Sequence, residues 1–237
     1  MQAAREIREG ELVFVGMRLP LLAFLLAKKT HAPGAVGLYE NGVIRSVPPD
    51  ALLYTMSDSP NLDGADSTGD MLQVMGLLQQ GRVGLGFVGA AEVDRFGNLN
   101  TTETDLVRLP GSGGACDIAS LSQRLIVIIN HRKHRLVEKV RHLTSPGFGN
   151  GARWRAEVGL PGGGPEAVIT DKGVLRFDAR TKQAKLVSYH GGSIDDAVAE
   201  TGWPLMVAED CSETLRPNEA ELSILRSLDP DRFWLKA

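Results

Sequence analysis

The stretch ELVFVGMRLPLLAFLLAKKTHAPGAVGLY (residues 11–39) decides the fold. The apolar segment at 11–16 predicts a buried strand, and the turn that contains Pro20 opens a helix that runs to about Lys29. A second apolar segment at 35–39 predicts another strand. Two strands separated by a helix are typical of parallel pairing with a crossover connection. The stretch therefore predicts an α/β fold with an open, largely parallel sheet flanked by helices.

The chain after this stretch continues the α/β pattern and then changes. A helix is predicted at 69–80, and strands are predicted at 83–88 and 125–129. After Pro146, two strands joined by a tight turn and a third strand predict a C-terminal antiparallel β-meander. Two closing helices follow, with Ser193 and Pro217 as start signals. No boundary is evident, so one domain over 1–237 is predicted. The meander strands lie within 168–178 and 184–190, and the closing helices are 193–200 and 217–228.

Composition restricts the classes of function. The 237 residues are 43% hydrophobic and carry a formal charge of −3, which disfavours a nucleic-acid binder that neutralises phosphates. The charged N-terminus lacks a signal peptide, and the longest apolar stretch, near 19–27, is too short to span a bilayer. Cys116 and Cys211 are too few for a disulfide framework or a cysteine-rich metal site. We expect a cytoplasmic protein with no membrane association, no metal and no tightly bound cofactor.

Glu40 is the first candidate for chemistry. It directly follows a predicted buried strand, and Asn41 and Gly42 come next. In open α/β sheets, ligands bind beyond the carboxyl ends of the strands, where Glu40 would lie. The alternative is a solvated glutamate beside an Asn-Gly turn, and local sequence alone favours that alternative.

The glycine-rich segment GSGGA (111–115) is the second candidate. Backbone N–H groups around Ser112, Gly113 and Gly114 can form an anion-binding nest for an oxyanion or a phosphate. A tight structural turn explains the same residues equally well. The segment is not a P-loop, because no Lys-Ser/Thr follows it. Cys116 is a conceivable nucleophile, but a buried structural cysteine is favoured because no histidine lies nearby in sequence.

Two further charged segments have competing interpretations. The basic run HRKHR (131–135) suits the phosphates of a nucleotide-bearing ligand or a metal, but a solvated face or a subunit contact is favoured. Glu92 and Asp94 follow another predicted strand and are candidates for a second carboxylate. For Asp94 the favoured interpretation is a turn in which its side chain accepts hydrogen bonds from its own backbone. For Glu92 both interpretations stay open.

Taken together, these segments resemble the beta subunits of family I coenzyme A transferases, and the beta subunit of glutaconate CoA-transferase in particular. The resemblance runs nearly end to end. It is carried by LPLLA (19–23), ENG (40–42), FVGAAEVDRFGNLN (87–100), GSGGA (111–115), TSPG (144–147), GLPGGGPEAVITDKGVLRFD (159–178) and DP (229–230).

The resemblance implies a fold shared with some sugar-phosphate isomerases and an active site formed with an alpha subunit. It implies that Glu40 is the nucleophile and that CoA moves between an acyl-CoA and a small carboxylic acid, through a glutamyl-CoA thioester, with ping-pong kinetics. Gly113 and Gly114 would line the oxyanion hole beside Ser112, Asn41 and Gly42. CoA and acyl-CoA would be substrates, and the assembly would be an α2β2 or higher hetero-oligomer.

The chain departs from the family pattern at two places. Arg18 stands where a glycine is usual, which implies a stiffer loop or a contact with a substrate carboxylate. Glu92 stands where glutamine is common, and we expect it either to contact the substrate or to support a residue that does. The alternatives are an acyl-CoA thioester hydrolase, or another acyl-CoA-processing enzyme, on the same fold, and a non-catalytic subunit that only orders a catalytic partner.

Overall fold

The computed structural model describes residues 1–235 and contains two compact units. The first unit contains Met1–Phe87 together with residues 216–235, and the second is Val88–Leu215. The predicted single domain over 1–237 stays a prediction. The helices are α1 (Gln2–Arg5), α2 (Leu19–Lys29), α3 (Ser59–Leu62), α4 (Met71–Gln79), α5 (Ala115–Leu121), α6 (Trp154–Glu157), α7 (Ile194–Ala199) and α8 (Glu219–Leu228).

The described strands are two to eight residues long. They are β1 (Leu12–Phe14), β2 (Val36–Leu38), β3 (Val43–Arg45), β4 (Ser67–Thr68), β5 (Leu85–Gly89), β6 (Glu92–Asp94), β7 (Leu99–Asn100), β8 (Arg124–Ile128), β9 (Leu136–Val137), β10 (Pro165–Ile169), β11 (Gly173–Phe177), β12 (Ala184–Tyr189) and β13 (Met206–Glu213). Within residues 1–235, no helix combines the length and apolar character needed to traverse a lipid bilayer.

The first unit is built around the predicted β1–α2–β2 segment. β1 pairs in parallel with β2 and also with β5, as the crossover pattern requires. Eight of the eleven residues of α2, at 21–28, are buried, so this part of the helix is covered on all sides rather than on one face. Antiparallel β3 and β4 extend the sheet beyond β2.

The chain end completes the first unit. α8 packs against α2, and Arg5 of α1 forms an ion pair with Glu221 at 3.1 Å. The predicted start signal Pro217 is wrong by one residue, because Asn218 is the N-cap. Its side chain accepts a hydrogen bond from the Glu221 N–H at 2.8 Å, and the Glu221 carboxylate accepts one from the Asn218 N–H at 2.8 Å.

The second unit contains the predicted meander. β10–β11 and β11–β12 pair antiparallel, which confirms the C-terminal antiparallel strands. The first strand of the meander, β10, also pairs in parallel with β8. β13 pairs in parallel with β12, and the sequence pattern did not predict this strand. A separate small sheet contains β7, β6 and β9 in that order. Ser193 caps α7 as predicted, in a capping box with Asp196.

Candidate active site

Glu40 lies in a tight turn at the carboxyl end of β2. The Gly42 N–H donates to the Tyr39 carbonyl at 2.9 Å, and the Tyr39 N–H donates to the Val43 carbonyl at 2.9 Å. These two bonds define a short turn between β2 and β3, with Glu40 at its first central position and Gly42 in the left-handed region at φ 100°. The turn therefore places Glu40 at the sheet edge where ligands bind in α/β proteins.

The Glu40 carboxylate is available for chemistry. The side chain is half-buried, and in the part of the chain that the structure describes it makes no hydrogen bond or ion pair. Its backbone, by contrast, is held between two buried strands. Such a carboxylate has a fixed origin and uncommitted lone pairs, which are the properties that a nucleophile requires.

The two residues after Glu40 hold the turn in place. The Asn41 amide donates to the Met56 carbonyl at 2.7 Å, which fastens the turn to the loop that precedes α3. A Cβ added to Gly42 would lie 2.5 Å from the carbonyl atoms of Gly69, whose N–H donates to the Gly42 carbonyl at 3.0 Å. Asn41 and Gly42 therefore position Glu40, since any side chain at 42 would both strain the backbone and displace the neighbouring segment.

Arg18 follows the adjacent parallel strand and has an unusual backbone. Its φ of 68° and ψ of −124° lie in a region that favours glycine, and it directly precedes α2. Its guanidinium lies 5.9 Å from the centre of the Trp234 ring. Among residues 1–235, no ion pair joins Arg18 to Glu40. The backbone conformation explains why a glycine is usual at this place in the family pattern that the sequence resembles.

The glycine loop lies in the second unit and ends at α5. Gly111 and Gly113 have left-handed φ values of 96° and 49°, and a Cβ at either would meet no atom within 4 Å. The Ser112 carbonyl accepts the Ala115 N–H at 3.0 Å, and Gly114 is the N-cap at φ −73°. Over the described residues, the N–H groups of Gly113 and Gly114 donate to no backbone carbonyl. The loop thus has the open donors expected of an anion nest.

Glu92 is connected to the base of the same loop. It is buried in β6, and its carboxylate accepts a hydrogen bond from the Asn100 amide at 2.6 Å. The carbonyl of Thr101, the next residue, accepts a hydrogen bond from the Gly111 N–H at 3.0 Å. Glu92 and the glycine loop are therefore brought together through Asn100 and Thr101, which fits a supporting role for Glu92 better than a direct contact with substrate.

Comparisons with known proteins identify the family of this chain. A family model described as coenzyme A transferase matches residues 1–201. The beta subunit of 3-oxoadipate CoA-transferase from Pseudomonas knackmussii is 39% identical, over 96% of this chain and 90% of that protein. The beta subunit of glutaconate CoA-transferase from Acidaminococcus fermentans is 31% identical, over 98% and 91%. The chain belongs to the coenzyme A transferase family.

Solved structures extend the comparison to the fold. The glutaconate coenzyme A-transferase from Acidaminococcus fermentans superposes with a TM-score of 0.92 at 30% identity, over 100% of this chain and 95% of that chain. The decarboxylase AibA/AibB superposes with a TM-score of 0.84 at 26% identity, over 99% and 94%. The predicted coenzyme A transferase fold, enzyme class and beta-subunit resemblance are confirmed. The decarboxylase shows that this fold also supports a different reaction.

Two further sequence candidates of this family member have different outcomes. Asp94 accepts hydrogen bonds from the Phe96 and Asn98 N–H groups at 2.9 and 3.0 Å, so the interpretation as a backbone-bonded turn is confirmed. Burial is the main cause that raises its pKa. Cys116 is a free thiol at the second position of α5 and is only partly buried, so the expectation of a buried cysteine is wrong.

The basic run is exposed or partly exposed, as expected of a solvated face, except at His131. His131 is fully buried, with Nδ1 3.0 Å from the Thr170 hydroxyl and Nε2 2.9 Å from the Thr201 hydroxyl. Burial lowers its pKa. Arg132 forms an ion pair with Asp171 at 3.0 Å. The run is therefore a surface segment anchored by one buried imidazole, and His131 is a structural residue.

Sequence reasoning missed Asn100 and Asp229. The second asparagine of FGNLN holds Glu92, and its spacing from Asn98 was the available signal. Asp229, of the DP segment, is buried and accepts the Phe233 and Trp234 N–H groups at 2.7 and 2.9 Å. It thereby holds Trp234 near Arg18.

Proposed function

We propose that this chain is the beta subunit of a heteromeric CoA transferase and that Glu40 is its nucleophile. The single observation that carries the proposal is the Glu40 carboxylate itself. It stands at the carboxyl end of a parallel strand, in a turn fixed by Asn41 and Gly42, and it makes no hydrogen bond or ion pair with any described residue. A carboxylate that no other group holds is free to attack an electrophile brought to that edge of the sheet.

The reaction follows from carboxylate chemistry. The Glu40 carboxylate attacks the acyl-CoA thioester carbonyl, and CoA thiolate leaves to give an acyl-glutamyl anhydride. The thiolate then attacks the Glu40 carbonyl and expels the first acid, which leaves a glutamyl-CoA thioester. The acceptor carboxylate attacks that thioester, thiolate leaves again, and its attack on the new acyl carbonyl releases the new acyl-CoA and restores Glu40. No net proton is transferred, so no histidine base is required.

The glycine loop would support the tetrahedral intermediates of each step. The open N–H groups of Gly113 and Gly114 are fixed donors for an oxyanion, and losing one such donor typically costs about 10²–10³ in rate. Ser112 turns the loop into α5, and Glu92 holds its base through Asn100. Arg18 would influence the choice of acid through the backbone of the segment that precedes α2, and Glu92 through the base of the glycine loop.

The substrates and assembly belong to the same proposal. The two similar beta subunits belong to enzymes named for 3-oxoadipate and glutaconate, both dicarboxylates, so we propose a dicarboxylic acid as acceptor. The alpha subunit would close the site and exclude water, since water would hydrolyse the glutamyl thioester. The complex would be an α2β2 or higher hetero-oligomer in the cytoplasm, with coenzyme A bound only as substrate.

The experiment uses the chain co-expressed with its alpha subunit. The complex is incubated with succinyl-CoA without an acceptor, and tryptic peptides are analysed by mass spectrometry. We expect a CoA adduct on the peptide that contains Glu40, and hydroxylamine should convert it to a hydroxamate. Transfer to 3-oxoadipate, glutaconate and acetate is then measured from the CoA products.

Two variants separate the nucleophile from its surroundings. Glu40→Ala should lose at least about 10³-fold in transfer rate, and Glu40→Asp about 10²-fold because its carboxylate is withdrawn by roughly one bond length. Full transfer activity in Glu40→Ala would refute the proposal. CoA release that matches turnover without any acceptor would instead identify a thioester hydrolase.

A further inference from the structure

A cavity in the second unit lies away from the glycine loop. Its volume is about 350 Å³, and it opens at the first residues of β8 and β10 and the last residues of β11. α5 ends shortly before β8 begins, so the cavity and the glycine loop lie at opposite ends of that helix. Seven helical residues separate them by roughly 10 Å.

The charges that line the cavity are predominantly positive. Among the described residues that line the cavity, Arg124, Arg176 and Lys182 are cationic and Glu166 is anionic, so the lining has a formal excess of two positive charges. Glu166 accepts from Arg124 at 3.0 Å and lies 3.6 Å from Arg176, so it orients both guanidinium groups. Planar guanidinium groups held in this way are suited to the oxygens of a phosphate.

The remaining wall is aromatic and backbone. Phe148 and Phe177 pack edge to face with ring centres 5.2 Å apart, and the Lys182 ammonium lies 5.2 Å from the Phe148 ring centre. Gly163 and Gly164 bring bare main chain to the cavity. A Cβ at Gly163 would collide with the carbonyl of Gln123, and Gly164 has φ 79°. Glycines at these two positions therefore allow the main chain to lie close to Gln123 and to the Phe148 ring.

We infer that this cavity binds a small phosphomonoester. A phosphate group carries about −1.5 to −2 charge near pH 7, which matches the cationic excess. The cavity is at the lower end of the range for small-molecule sites, about 300–1,000 Å³, and exceeds what an inorganic phosphate needs. The space beside the two phenylalanines accommodates the organic part of the ligand. The inference is independent of the proposed transfer reaction.

The test measures binding of AMP, inorganic phosphate and adenosine to the alpha–beta complex by isothermal titration calorimetry. AMP is expected to bind, phosphate to bind more weakly and compete with AMP, and adenosine not to bind. Lys182→Met keeps the packing on Phe148 but removes the charge, and it should weaken AMP binding about 10-fold or more. The matched control Lys139→Met changes an exposed lysine outside the cavity and should bind AMP as the wild type does.

A second variant tests the inference at a different side chain, in case Lys182→Met does not fold. Arg176→Met alters a partly exposed side chain on the other wall and should weaken AMP binding in the same direction. The thermal midpoint of each variant without ligand shows whether it is folded. Equal AMP affinity in the wild type, Lys182→Met and Arg176→Met would overturn the inference, as would equal binding of adenosine and AMP or the absence of any AMP binding at millimolar concentration.

Discussion

Arg155 is expected to be among the most costly side chains to remove from the second unit. It is 7% exposed, and its guanidinium donates to five backbone carbonyls in three separate segments. No carboxylate is among these acceptors, and burial lowers its pKa to about 10. The acceptors are Gly162 at 3.0 Å, Gly147 at 3.0 Å, Pro146 at 3.4 Å, Ala119 at 3.2 Å and Ser120 at 2.9 Å.

The magnitude follows from those bonds. Each hydrogen bond to a charged group contributes about 1.5–3 kcal/mol, but five bonds from one group are not additive. Removing the guanidinium leaves five carbonyls without this donor, and the loss of a buried hydrogen-bond network of this size is expected to cost about 3–5 kcal/mol. For a chain of this size, that loss lowers the melting temperature by about 6–20 °C. Arg155→Met should therefore destabilise the protein by about 3–5 kcal/mol, and Arg155→Lys by less because an ammonium can retain one or two carbonyls.

Urea unfolding of the complex, followed by tryptophan fluorescence, measures the change. The midpoint should fall while the slope stays constant, because the exposed surface of the unfolded chain is unaltered. Arg153→Met is the matched control, since Arg153 is exposed two residues away and should change stability by no more than about 0.5 kcal/mol. A loss below about 1 kcal/mol for Arg155→Met would refute the reasoning that these five bonds hold the segments together.

Three further predictions concern strain, acid sensitivity and the glycine loop. Arg18→Gly should be more stable than Arg18→Ala by about 1 kcal/mol in thermal unfolding, because both lose the contact with Trp234 but only glycine accepts φ 68° without strain; equal stability would contradict this. Burial lowers the His131 pKa in the folded chain below its value in the unfolded chain. As the pH falls below about 6.5, the unfolded chain therefore binds the proton more readily than the folded chain, and the free energy of unfolding decreases. His131→Gln should flatten that loss by up to about 1.4 kcal/mol per pH unit, and an unchanged slope of stability between about pH 6.5 and 5 would contradict it. Gly114→Pro removes the backbone N–H, and proline accepts the φ of −73° at this position. It should lower kcat by about 10²–10³-fold relative to Gly114→Ala, which keeps the N–H. Equal kcat values in the two variants would exclude Gly114 as an oxyanion donor.

The sequence predicted those parts of the fold that depend on local pattern. The apolar segments on either side of α2 are uninterrupted, so β1, α2 and β2 were all predicted, and their parallel pairing followed from the crossover. The turn at Asp94 and the cap at Ser193 were predicted for a related reason, since a side chain that bonds its own neighbouring backbone leaves a short-range signal. β13 was missed because its residues are mostly exposed and lack an alternating apolar pattern.

The candidate site likewise contains features that the sequence predicts and contacts that it does not predict. Local sequence predicted the turn at Glu40, Asn41 and Gly42 but favoured a solvated glutamate there. The resemblance to the family over the whole chain made Glu40 the predicted nucleophile. Local pattern does not reveal that Asn41 reaches Met56, that Gly42 packs against Gly69, or that Asn100 holds Glu92. Those contacts join segments whose spacing along the chain carries no periodic signal.

The sequence by itself determined that this is an α/β protein with a glutamate at a strand end and a glycine-rich loop before a helix. These features arise from residues within a few positions of one another. The tertiary structure decided which polar groups are committed and which are available: Asp94, His131 and Arg155 have partners, whereas Glu40 forms no hydrogen bond or ion pair within residues 1–235. Folding sets that difference because burial makes an unsatisfied polar group costly, and only a folded chain determines which groups are buried.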